Sequence, residues 1–82
     1  MDIFKLSEVK PLFKGRIAKI EYSGGDKYRF YNMGFYPGNR IIVLYVDKDF
    51  IIMYLGRHVV RVDMDIAKYI LVFEDPSIPL VE

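Results

Sequence analysis

Tyr28-Arg-Phe-Tyr-Asn-Met-Gly-Phe-Tyr-Pro-Gly-Asn-Arg-Ile41 decides the fold. Gly34 suits the left-handed position that ends a helix, because it has no Cβ to clash there. Pro37 and Gly38 fit the two central positions of a type II turn, where Pro fixes φ and Gly supplies φ > 0. The apolar run Ile41-Ile-Val-Leu-Tyr-Val46 follows at once and reads as a strand. Fourteen residues thus predict a short helix, a stop, a reversal and a strand.

Upstream, residues 1–5 read as a loose lead-in. Ser7 is placed to cap a short turn over Glu8-Val9-Lys10, which Pro11 ends. A first strand is expected from Phe13 to Tyr22, followed by the loop Ser23-Gly24-Gly25-Asp26. Asp26 or Ser23 would cap a helix from Lys27 to Met33, with Phe30 and Met33 sharing its buried face. Downstream, Arg40 to Val46, Phe50 to Leu55 and His58 to Val62 read as three strands. Asp47-Lys48-Asp49 and Gly56-Arg57 are the turns between them. Asp63 would cap a second short helix to about Tyr69, and Ile70 to Phe73 would close the sheet. About five short strands with two helical insertions point to a small, strongly bent antiparallel barrel. Helices laid on its outside would bury parts of both strand faces, so strict alternation is not expected in 41–46 or 50–55. The expected domain spans 1–74. Pro76 and Pro79 make 75–82 an extended C-terminal tail.

Composition bounds the function. The 82 residues are 52% hydrophobic and include seven Tyr and six Phe, enough apolar material for one core. The 12 basic residues against 11 acidic ones leave a net charge of +1, which gives no general pull toward nucleic acid or anionic lipid. The absence of Cys rules out disulfides, thiolate metal sites and a thiol nucleophile. The longest apolar runs are six residues, against the roughly 20 that span a bilayer. The start, Met1-Asp-Ile-Phe-Lys, is unlike a signal peptide. A soluble cytoplasmic protein is expected.

The same central stretch carries a resemblance. Met33-Gly34-Phe35, one further residue, Pro37-Gly38, two further residues and Ile41-x-Val43 resemble the signature of the FeoA family. Leu6-Ser7-Glu8-Val9-Lys10-Pro11 resembles the family's opening, and Gly15-Arg16-Ile17-Ala18-Lys19-Ile20 its first long strand. Gly56, Val59-Val60-x-Val62 and Ala67-x-x-Ile70-x-Val72 resemble its closing section, so the likeness runs over residues 6 to 73. It departs from the pattern at Val62-Asp63, where many members have Leu-Arg, and at Tyr28, Phe30 and Tyr31 in the helix. The resemblance implies an SH3-like barrel. It also implies an accessory role in ferrous-iron uptake, exerted by contact with the cytoplasmic part of the FeoB transporter. The alternative is a stand-alone regulatory or peptide-binding module, related to the C-terminal domain of iron-dependent repressors.

The residues themselves offer little chemistry. Iron(II) favours His and carboxylate ligands, yet His58 is the only His, and it reads as a barrel-wall residue. Asp47 and Asp49 read as a solvated hairpin tip. Ser7, Ser23 and Ser77 lack an activating base in any recognisable pattern, and no Thr is present. Ser23-Gly24-Gly25-Asp26 lacks the lysine and spacing of a phosphate-binding loop. No enzyme activity, metal or cofactor is therefore expected. Lys14, Arg16, Lys19, Lys27 and Arg29 with Tyr22, Tyr28 and Tyr31 have the makings of a single-strand binding face, but an alternating solvent face explains them equally. Protein contact is the positive reading, because SH3-like barrels offer aromatic grooves to extended, proline-containing segments. Phe35, Tyr36 and Arg57 are the candidate partner-binding residues, on a surface shaped by Gly34, Pro37 and Gly38. At least one of the two rings has to be at the surface, the other use of Phe35 being to plug one end of the barrel. The tail Asp75-Pro-Ser-Ile-Pro-Leu-Val81 is itself a candidate occupant of such a groove.

Overall fold

Hairpins build most of the sheet. Strand β3 (Arg40–Val46) returns through Asp47-Lys48-Asp49 as β4 (Phe50–Leu55), and β4 returns through Gly56-Arg57 as β5 (His58–Asp63). The first tip is closed by the Asp47 amide donating to the Phe50 carbonyl (2.9 Å) and the Asp49 amide donating to the Asp47 carboxylate (3.0 Å). The structure, a computed structural model, describes residues 2–80. The remaining elements are β1 (Ile3–Lys5), a 3-10 turn (Leu6–Glu8), β2 (Lys14–Ile20), helix α1 (Lys27–Asn32), helix α2 (Met64–Ala67) and β6 (Ile70–Glu74).

All six strands lie in one antiparallel sheet of order β1-β6-β2-β3-β4-β5. Sequence reading expected about five strands and a loose lead-in at 1–5. The sixth is β1, which pairs Ile3 with Phe73 and Lys5 with Leu71. Three residues are too short to show a period, so only the partner strand makes them a strand. Strands β1 and β5 form the two outer edges, so the pairing among the described residues is that of an open sheet.

Two bulges bend it. Between Ile17 and Lys19, β2 advances two residues while β6 advances one, and between Val43 and Tyr45, β3 does the same against β4. An extra residue bends its strand and sharpens the twist. The bulge at Leu44 turns both Val43 and Val46 toward the core although they are three residues apart; Leu44 and Tyr45 face out. In β4, by contrast, Ile51, Met53 and Leu55 alternate strictly inward, which the continuous apolar run had concealed.

The core joins these residues to Leu6, Ile17, Ile20, Phe30, Phe35, Ile41, Ala67, Ile70 and Val72. Burial of Leu6 sets the 3-10 turn two residues earlier than expected. Lys5 precedes that turn, and Ser7 lies within it rather than capping it. Helix α2 is four residues long, shorter than expected, and Asp63 makes no side-chain cap bond, because its carboxylate accepts from the Arg61 Nε at 3.3 Å. The segment after β6 folds back. The Asp75 amide donates to the Lys14 carbonyl (2.9 Å), the Asp75 carboxylate accepts from the Ser77 hydroxyl (2.6 Å) and amide (3.1 Å), and Ile78 is buried. That turn replaces the extended course expected there; Val81 and Glu82, also assigned to the tail, lie outside the described residues.

Candidate functional site

The central stretch is a chain of three linked turns. Asp26 opens α1, its carboxylate accepting from the Tyr28 amide at 3.0 Å. The helix closes with two crossed bonds, from the Gly34 amide to the Tyr31 carbonyl (3.0 Å) and from the Phe35 amide to the Phe30 carbonyl (2.9 Å). With Gly34 at φ +108°, this is the Schellman arrangement, which drives the residue after the glycine toward the apolar side of the helix. Phe35 is therefore 1% exposed and lies in the same core cluster as Phe30. Met33, expected to share that buried face, is instead exposed, because the closure delivers Phe35 in its place.

The Pro-Gly reversal follows as expected. The Asn39 amide donates to the Tyr36 carbonyl (3.1 Å), and Gly38 has φ +91°. The turn is stitched to β2 by the Gly38 amide on the Ile17 carbonyl (2.8 Å) and the Ile17 amide on the Asn39 carbonyl (2.9 Å). Asn39 ties the turns together. Its Nδ2 donates to the Gly34 carbonyl at 2.7 Å, and its Oδ1 accepts from the Arg40 amide at 3.0 Å. Sequence reasoning missed Asn39; the signal was an amide side chain placed directly after a Pro-Gly pair.

These turns form one wall of an open groove of about 920 Å³. Tyr36, Met33, Arg57, His58 and Val60 line it, together with Arg16 and Arg40. Tyr36 is 49% exposed, and Arg57 and His58 are exposed. Of the three candidate residues, Tyr36 and Arg57 thus share one groove, while Phe35 supports its wall from beneath. Tyr45, an exposed ring that does not line this groove, packs against Phe50 with ring centroids 6.0 Å apart.

Arg16 was also missed as a site residue. Its Nη1 donates to the Gly38 carbonyl (2.9 Å), and its Nε donates to the Asp75 carboxylate (2.8 Å), so one guanidinium holds both the Pro-Gly turn and the start of the tail. The Ser77 hydroxyl and then Arg16 hold the Asp75 carboxyl below the usual carboxylate range. Among the described residues, no three His, Asp or Glu side chains come together as a metal site would require, and no helix is long and apolar enough to cross a membrane.

Comparison with known proteins agrees with this architecture. Residues 4–73 match the FeoA domain. A crystal structure of an iron uptake regulatory protein, FeoA, is 26% identical, with a TM-score of 0.77 over 87% of this chain and 96% of that one. Iron(II) transport protein A from Clostridium thermocellum is 30% identical, with a TM-score of 0.76 over 87% of this chain, which spans 45% of that chain. IdeR from T. acidophilum is 26% identical, with a TM-score of 0.78; the match takes in 92% of this chain and 35% of that one. No curated protein shows significant similarity. With 70 of its 82 positions inside the matched domain, this chain belongs to the FeoA family.

Proposed function

We propose that this protein is a cytoplasmic accessory factor of ferrous-iron uptake that binds the cytoplasmic part of a FeoB-type transporter. In this reading the bent sheet is an SH3-like barrel, residues 1–74 are the binding unit and the groove receives the partner. The observation that carries it is that exposed Tyr36 and exposed Arg57 line one groove, beside the hydrogen-bonded turns at Gly34 and Gly38. Aromatic and Arg side chains held on rigid backbone are the residues that dominate protein–protein contacts. No cofactor or chemical step enters this mechanism; the protein acts by occupying a surface of the transporter.

The test is retention of the purified FeoB cytoplasmic domain on the immobilised protein. Tyr36→Ala should weaken retention by about tenfold, the cost of one central anchor. Equal retention by both proteins would remove the groove from the contact.

The likeness to IdeR favours a second reading, a stand-alone regulatory module that binds a repressor's proline-containing segment in trans. Retention of a DNA-binding repressor in place of FeoB would support it.

A further inference from the structure

We propose that the groove is a receptor for an acidic polypeptide segment, one that carries two or more Asp or Glu around an apolar side chain. The inference deepens the docking proposed above and rests on the groove being its contact surface. The chain as a whole is almost neutral, with 12 basic and 11 acidic residues, yet the side chains that line the groove include basic ones and no acidic ones among the described residues, Arg16 being already paired with Asp75 at its margin. Arg16, Arg40, Arg57 and His58 line it, and no carboxylate among the described residues does. Charge of one sign gathered in a cleft focuses the field there and selects an oppositely charged partner. Guanidinium groups favour carboxylates in particular, because their planar fork matches two oxygens at once. The Arg16 guanidinium already shows this within the chain, on Asp75 at 2.8 Å. Arg40 and Arg57 also interact within the chain, so an incoming carboxylate adds to those contacts or exchanges with them.

The apolar part of the lining fixes the rest of the description. Met33 is exposed, and Val60 and Tyr31 are half-buried, so part of the lining is apolar. An apolar side chain of the segment suits that part of the lining, and its acids suit the arginines. Nucleic acid fits less well. Its phosphates need a basic track extending well beyond a single groove, and a net charge of +1 supplies none.

The test is fluorescence anisotropy with a labelled peptide, Asp-Glu-Leu-Pro-Glu-Asp, beside its counterpart Asn-Gln-Leu-Pro-Gln-Asn and a labelled single-stranded oligonucleotide. The acidic peptide should bind at least about tenfold more tightly than the neutral one, and raised salt should erase most of the difference. Arg57→Gln, checked for folding by circular dichroism, should weaken the acidic peptide by about fivefold. Arg61→Gln, which alters a guanidinium placed over the Phe50 ring rather than in the groove, should leave it unchanged. Equal binding of the two peptides, a silent Arg57→Gln, or tighter binding of the oligonucleotide would overturn the proposal. The FeoB domain separates this failure from that of the docking itself. Retention that ignores both salt and Arg57→Gln leaves the docking and overturns the acidic partner. Acidic-peptide binding without FeoB retention does the reverse.

Discussion

Alanine at Gly38 and at Gly34 separates two costs that a reversal of this kind carries. Both glycines have positive φ, +91° and +108°. A side chain in that region costs about 1–2 kcal/mol, partly offset by the smaller entropy of the unfolded alanine chain, at about 0.4–1 kcal/mol. At Gly38 an added Cβ meets nothing within 4 Å, so Gly38→Ala carries the conformational cost alone, about 1 kcal/mol net. At Gly34 the same Cβ lies 2.9 Å from Leu55 Cδ2 and 3.2 Å from Leu55 Cγ. Leu55 is 3% exposed and packed in the core, so it has little room to retreat. Overpacking of that kind adds about 1–3 kcal/mol, which brings Gly34→Ala to about 2–4 kcal/mol. For a domain of this size each kcal/mol moves Tm by about 4–8 °C, so the two variants should differ by roughly 5 °C or more in a thermal melt. An unchanged Tm for Gly38→Ala would refute the strained turn. Equal losses in both variants would refute the contact with Leu55.

Two further expectations follow from neighbouring side chains. Phe35→Ala empties a fully buried site and should cost about 3–5 kcal/mol by chemical denaturation, whereas Tyr36→Ala should stay within about 0.5 kcal/mol; comparable losses would mean that the two rings are not divided between core and surface. Asp75 titrates below its ordinary value of 3.8 when folded, so its hold on the tail is complete above that value and fades as pH falls through the lower folded one. Exchange protection of the Ser77 amide, followed by NMR, should therefore fall on acidification in the native protein and be insensitive to acid in Asp75→Asn. The same pH response in both proteins would show that another group governs the turn.

The punctuation of this fold was legible in the sequence, and its closure was not. Asp26, Gly34, Pro37 and Gly38 each impose a local geometry that needs no partner, and all four stand where their chemistry places them. Strand bounds at 40–46 and 50–55 followed from apolar runs ended by polar turns. Strand β1 was hidden because Ile3-Phe4-Lys5 is a strand only by virtue of Val72 and Phe73, some 70 positions away. Arg16 and Asp75 were hidden for the same reason, being 59 residues apart in the chain. The fate of Phe35 was readable in principle. A glycine that ends a helix in the Schellman manner sends the next residue inward, and the Pro-Gly turn that follows leaves Tyr36 outside.

The bulges at Ala18 and Leu44 give the chain two spare links. In an ordinary strand, loss of one residue reverses the facing of every side chain beyond it. Loss of Leu44 does not, because Val43, Tyr45 and Val46 would then alternate inward, outward and inward, as they already point. Ala18 stands the same way between Ile17 and Ile20. Deletion at either place would keep the reading frame of the core and straighten the corner, so the fold can trade curvature for length there without scrambling what lies inside.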